Sequence, residues 1–323
     1  MSNSFLVGAP RQAFSFGGED DAGHGLEIPT DWSCAAALAA RGKARRVLVV
    51  GPPDTGKSSL CRVILRAVPC SGAWLLDGDV GQKLIGPPAC VTLGRSSAGE
   101  RRALRTLAFV GTTDPVRGWR RVIDGLWRLA AEAGPEVLVV NTGGLLSGPG
   151  DRIKKAKVEA LAPDLAIALG RHPALDALAA AHPALPWLHL APSPRARRKN
   201  EGERRRARRE AFRRYFADAD TWTAPWSKLL QGISTKAVPP LPPGLLVSLR
   251  DATGQDKGLG IVLDSCPVAR VATLLTPVPE GEAVSLCRGE LTLDGDFRDR
   301  RIEAGSERSA QKDEGRPVDL PEG

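Results

Sequence analysis

The 323-residue chain has no long apolar run, no C-x-x-C pair among its six cysteines and only four histidines. Each scarcity removes a class of function. Without ~18–20 uninterrupted apolar residues, no membrane-spanning helix and no membrane partner are expected. No basic-then-apolar segment opens the chain, so no signal peptide is expected. Cys34, Cys61, Cys70, Cys90, Cys266 and Cys287 are scattered. Reduced thiols in a cytoplasmic protein are therefore the simpler expectation than a disulfide framework or a zinc ribbon. His24, His172, His182 and His189 form no metal-ligand spacing. No internal repeat is present.

Excess charge is also missing over most of the chain. Lys and Arg number 45 against 37 Asp and Glu, a net charge of +8. Residues 195–214 alone hold eleven bases and three acids, which accounts for the whole excess. A neutral body with one cationic element points to a local anionic ligand, not to a nucleic-acid coat. With 42% hydrophobic residues, the chain has material for one large domain and a smaller one.

Residues 1–24 lack periodicity and read as a disordered arm. From 25 to 237, short apolar runs alternate with helical patterns. The runs are Val47–Val50, Ala73–Leu76, Leu107–Val110, Val137–Val140, Leu165–Leu169 and Trp187–Leu190. The helical patterns are Lys57–Val68, Val116–Ala133, Arg152–Leu161 and Pro173–His182. Such alternation predicts an α/β domain with a doubly wound parallel sheet. Four prolines within residues 239–243 make 238–243 a stiff linker. Beyond it, short strand-like runs over 244–303 predict a small all-β barrel or sandwich. Residues 304–323 read as a disordered tail.

The strand Val47–Val50 runs into Gly51, Pro52, Pro53, Asp54, Thr55, Gly56, Lys57, Ser58 and Ser59, which satisfy G-x-x-x-x-G-K-[ST] in its strand–loop–helix context. The glycines let consecutive N–H groups face a phosphate chain, and the helix N-terminus adds its dipole. The motif gives Lys57 the β- and γ-phosphates and gives the Ser58 hydroxyl a Mg²⁺ ion. The guanine-reading N-K-x-D pattern is absent, which weakens a regulatory GTPase reading. Asp77 and Asp79 end the next strand, where a carboxylate can hold a metal-bound water or accept a proton. Period-2 geometry puts both on one side. Asn141-Thr142-Gly143-Gly144 ends another strand on the same edge. In the cationic stretch, Arg204, Arg208 and Phe212 share a helical face and could close as a lid, their planar forks pairing with phosphate.

In this order the motifs resemble those of the polynucleotide 5′-hydroxyl kinases related to the pre-mRNA cleavage-factor and ribosomal-RNA-processing kinases. Gly51–Ser59 is similar to that family's GPxDxGKST, and Asp77–Gln82 to its D-x-D-x-G-Q. Phe109–Gly111 with Pro115 is similar to F-x-G-x-x-x-P, Asn141–Gly144 to N-T-x-G-W, and Arg204–Phe216 to its arginine lid. Leu145 stands where the family has Trp, and Asp114 where it commonly has Ser. The resemblance implies a P-loop NTPase fold with an arginine-rich lid over about 195–216. It implies transfer of the γ-phosphate of ATP or GTP, with Mg²⁺, to the 5′-hydroxyl of RNA or DNA. Lys57, Asp79, Arg204 and Arg208 would then be catalytic, Ser58 and Asp79 would hold the metal, and Asp77, Gln82, Thr142 and Gly143 would meet the substrate. The rival readings are a nucleotide-binding RNA-processing scaffold without turnover and a small-molecule P-loop kinase.

Overall fold

Two sheets carry the chain in a computed structural model that describes residues 28–41, 44–68, 73–96, 103–226 and 241–302. The expected arm (1–24), tail (304–323) and linker residues 238–240 lie outside the described residues. The first part runs α1 (Thr30–Ala40), β1 (Arg46–Val50), α2 (Lys57–Ala67), β2 (Ala73–Gly78), β3 (Cys90–Ser96), β4 (Ala103–Phe109), α3 (Trp119–Glu132), β5 (Val137–Thr142), α4 (Pro149–Leu161), β6 (Leu165–Leu169), α5 (Pro173–Ala181) and β7 (Trp187–Leu190). Then follow the lid helix α6 (Glu201–Tyr215) and strands β8 (Asp220–Pro225), β9 (Leu245–Arg250), β10 (Asp256–Cys266), β11 (Val271–Thr276), β12 (Ser285–Leu293) and β13 (Asp299–Arg301).

The first sheet has the order β4-β3-β2-β5-β1-β6-β7. Its apolar strands feed two cores. Val47 and Val49 of β1 pack beneath α1 and α2, while Leu48 and Val50 pack beneath α3 and α4. Each fully buried Leu or Val contributes about 1.5–3 kcal/mol, so the layers on both faces are strongly driven. The alternation predicted a parallel sheet, and β2, β5, β1, β6 and β7 do pair parallel, but the β3–β4 edge does not. β3, unrecognised in the sequence, pairs antiparallel with both β2 and β4. No helix joins β2 to β3, and a parallel pairing needs a long crossover.

The second sheet is antiparallel, in the order β13-β12-β9-β10-β11-β8. Trp222 and Ala224 at one edge share a buried cluster with the central Val247 and Val262, and Ile302 beside the other edge packs against it. The sheet therefore curls over its own core, and a second packed sheet is not needed. The domain boundary expected at 237 is corrected: β8 pairs with β11 and belongs to this sheet. Its alternation, with Trp222 and Ala224 inward and Thr221 and Thr223 outward, shows the reason.

The lid joins the two parts. Phe212, Tyr215 and Phe216 bury among Leu246, Leu259, Ile261, Leu291 and Leu293 of the second sheet and Phe109 of β4. Phe109 N also donates to Asp256 Oδ2 at 2.9 Å, and Glu290 N to Gly111 O at 2.7 Å. Among the described residues no helix is long and apolar enough to cross a membrane. The five cysteines among them are free thiols.

Candidate active site

The carboxyl ends of β1, β2 and β5 meet the start of α6. After β1 the chain turns through residues 51–56. Asp54 sits in the left-handed region at φ 60°, and Gly56 at φ 95° forms the N-cap of α2. A glycine cap supplies no side-chain acceptor, so the first N–H groups of α2 stay available to an anion. Lys57 is buried and its Nζ donates to Pro52 O. Burial lowers its pKa, while Asp79, Cys61 and Asp54 pull it back up. Ser58 follows, half-buried at the head of α2.

The two aspartates part company. Asp77 is fully buried inside β2. Its Oδ1 accepts from Asn141 Nδ2 at 2.9 Å and from Asp79 N at 3.2 Å; its Oδ2 accepts from Leu84 N at 2.6 Å. Lys83 Nζ lies 3.4 Å from the same oxygen. Asp77 thus holds the loop that follows it, both of its carboxylate oxygens accepting from the protein itself. Asp79 lies beyond the end of β2, so strand periodicity no longer governs it. It is half-buried, and its Oδ1 accepts from Gly81 N at 2.9 Å and Gln82 N at 3.0 Å. A Cβ added to Gly143 would meet both Asp79 carboxylate oxygens at 3.5 and 3.6 Å, so the two loops face each other closely.

Thr142 is held in the same way. It is fully buried; its hydroxyl donates to Val49 O at 2.8 Å and accepts from Lys154 Nζ at 2.9 Å, which ties β5 to β1. Gly144 sits against the P-loop: a Cβ there would stand 2.5 Å from Pro53 N. Leu145, at the family's Trp position, is exposed. Asp114 Oδ1 caps its own turn, accepting from Val116 N at 2.8 Å.

Two residues were not anticipated. Lys154 and Lys157 of α4 are both buried beneath this edge. Lys154 Nζ also donates to Gly143 O, and Lys157 Nζ to Gly78 O at 3.2 Å. Burial pushes Lys154 well below the ordinary lysine range, with Lys157 and Lys57 adding repulsion. Burial lowers Lys157 to about 8 against the pull of Asp79 and Asp77. The available signal was their i, i+3 spacing in line with Leu161 on the inward face of α4.

The lid starts at a capping box of Asn200 and Glu203. Arg204 reaches the P-loop, pairing with Asp54 Oδ2 at 2.5 Å, and the same oxygen accepts from Lys199 N at 3.2 Å. Gln82 Nε2 donates to Arg204 O at 3.2 Å, so the β2 loop also touches the lid. Arg208 points to the second sheet, where its Nε meets both oxygens of Asp299 at 3.0 and 3.1 Å. P-loop, Asp79, Gln82, Gly143 and Arg204 therefore converge, with Arg208 one helical turn behind. Among the described residues no group of three or more His, Cys, Asp or Glu could cage a metal.

Strand, glycine loop, uncapped helix and arginine lid define a P-loop nucleotide-binding protein. The family described as mRNA cleavage and polyadenylation factor CLP1 P-loop matches residues 51–218, just over half of the chain, and the chain belongs to that family. The polyribonucleotide 5′-hydroxyl-kinase of Pyrococcus horikoshii is 31% identical over 202 residues, 60% of this chain and 56% of that protein. That of Methanocaldococcus jannaschii is 27% identical over 217 residues, 64% of this chain and 60% of that protein. The chain spans little more than half the length of these curated relatives. A solved structure of a wild-type Clp1p–Pcf11p complex shares the fold at a TM-score of 0.63 and 12% identity, covering 81% of this chain and 79% of that one.

Proposed function

We propose that the protein is a polynucleotide 5′-hydroxyl kinase, transferring the γ-phosphate of ATP or GTP to the 5′-hydroxyl of RNA or DNA. One observation carries the reading: Arg204 closes onto the P-loop while Asp79 stands half-exposed opposite Gly143 on the same edge. A guanidinium at the phosphate-binding turn and an accessible carboxylate on the same sheet edge support phosphoryl transfer. Family membership and curated relatives named polyribonucleotide 5′-hydroxyl-kinases support it, and favour an RNA end.

The N–H groups of residues 54–59 bind the triphosphate, and Lys57 neutralises its β- and γ-phosphates. Ser58 and Asp79 fit a Mg²⁺ ion, a hard cation that takes one or two protein oxygens together with substrate phosphates; when bound, it would offset the triphosphate's charge. The 5′-hydroxyl oxygen bonds to the γ-phosphorus as the bond from that phosphorus to the bridging oxygen breaks and the nucleoside diphosphate leaves. Asp79 takes the hydroxyl proton. Arg204 and Arg208 stabilise the charge on the transferring phosphoryl group. Gln82 and Gly143 border the end nucleotide, while Asp77 and Thr142 set the geometry behind them.

The test is labelled ATP with 5′-hydroxyl RNA and DNA oligonucleotides, run beside Lys57→Ala. Wild type labels the 5′ ends and the variant does not. No label above the variant's background with either polymer sinks the proposal.

A further inference from the structure

We infer that Asp299 of β13 is a positioning residue for Arg208, and that the second sheet serves the transfer as the fixed seat of the lid. The inference rests on the kinase reading above, which places Arg208 at the transferred phosphate. Asp299 lies 91 residues from Arg208 in sequence and touches it through both carboxylate oxygens. This pair is shielded, with side chains 14% and 10% exposed, whereas the lid's Arg205–Glu201 pair is 70% and 66% exposed. A solvated pair of the second kind contributes little; a shielded pair in which one Nε–H is shared between two carboxylate oxygens restrains the guanidinium at that nitrogen.

The carboxylate itself is held still. Asp299 is paired in register with Leu293 on the long strand β12. Two residues earlier, Phe297 stacks on Phe216 at the end of the lid, centroids 5.9 Å apart. Tyr215 Oη accepts from Leu259 N at 2.9 Å, which fixes how the helix is rolled on the sheet. Phe212 and Tyr215 bury the C-terminal half of α6, and Arg204 reaches the P-loop from the other half. Arg208 lies between them, about 6 Å along the axis from Arg204 at 1.5 Å per residue. Asp299 engages Nε, and a guanidinium carries four further N–H donors on its fork for a phosphate. A side chain ordered before the substrate arrives loses less entropy in the transition state.

The experiment is a double-mutant cycle on kcat for 5′-end labelling, with KM for ATP and thermal melting recorded for each variant. Asp299→Ala and the shape-conserving Asp299→Asn are expected to lower kcat roughly tenfold to hundredfold, with KM for ATP within about threefold and melting near wild type. Asp299→Glu recovers part of the loss. In an Arg208→Ala background, adding Asp299→Ala changes kcat by less than about twofold, because the group it positions is already gone. Equal losses in both backgrounds would overturn the inference, since Asp299 would then act on the fold at large. So would an unchanged or faster Asp299→Asn enzyme, which would mean the pair is idle or restrains the lid. Wild-type kcat in Arg208→Ala removes the arginine's role and the inference with it, leaving the kinase reading intact. Absence of transfer by the wild-type chain refutes the kinase reading, and with it the inference.

Discussion

Replacing Gly144 by alanine asks whether the β5 edge and the P-loop must touch. The new Cβ would stand 2.5 Å from Pro53 N, 2.6 Å from its Cα and 2.9 Å from its Cγ. Ordinary contact begins at 3.4 Å, so the loops would have to part by about 0.9 Å, the difference between 3.4 and 2.5 Å. Neither side yields easily. Lys57 Nζ and Thr55 Oγ1 both donate to Pro52 O, and Lys154 anchors Gly143 O. A shift on the order of 1 Å in a positioning element can cost about a hundredfold in rate, and overpacking costs about 1–3 kcal/mol of stability. We expect kcat to fall about a hundredfold, with a lower melting temperature and weaker nucleotide binding. Gly295→Ala, with nothing within 4 Å of the new Cβ, is the neutral control. Labelling kinetics, nucleotide titration and melting read the result. A Gly144→Ala protein that melts like wild type and turns over within about twofold of it would refute the reasoning.

The lid's arginines should be unequal: Arg204→Ala lowers kcat about a hundredfold or more, while the solvated Arg205→Ala stays within about twofold, measured in the same labelling assay. Lys157 should make stability rise with pH in an unusual window. Its folded pKa of about 8 lies below the unfolded 10.5, so between those values the unfolded chain binds more protons and the folded state gains as pH increases. Wild-type melting temperature measured against Lys157→Met from pH 8 to 10.5 should climb, and a flat or falling difference contradicts the assignment. Lys154→Met should lose activity with little loss of stability, since it removes a desolvated charge together with the anchor on Gly143 O; unchanged kcat counts against that role. Tyr215→Phe leaves Leu259 N–H buried without its acceptor and should cost about 1–3 kcal/mol in urea unfolding.

The strands around the P-loop were legible because buried parallel strands are short apolar runs, and Val47–Val50 is one. Strand β3 was not, since Thr92, Gly94, Arg95 and Ser96 interrupt its apolar residues, and the direction of β4 could not be read, since an apolar run carries no arrow. Helix α1 escaped because its Ala-rich run has little amphipathic contrast, although Trp32 at its start is buried with Nε1 donating to Ala191 O at 3.0 Å. At the site, residues that face phosphate follow a motif, while residues that hold the motif up do not. Asp77 and Asp79 look equivalent two positions apart, yet β2 stops between them at Gly78 and only the first obeys its pleat. Lys154 and Lys157 look like ordinary surface lysines, because nothing in the sequence marks the carbonyls that accept from them, Gly143 O just past β5 and Gly78 O of β2, the latter 79 residues away.

The stretch over which the family is recognised and the stretch that folds as a unit end in different places. The first closes at residue 218, just past the lid helix. Phe212, Tyr215 and Phe216, at 0%, 5% and 4% exposure, owe their shelter to strands that come later in the chain. A version of the chain cut after residue 218 would bare that aromatic stripe on the back of its most cationic helix. Such a two-faced rod adheres to itself, to acidic polymers and to surfaces. Any shortened form for biochemistry must therefore run through β13, and a soluble fragment ending at 218 would have to re-cover three aromatic rings with something else.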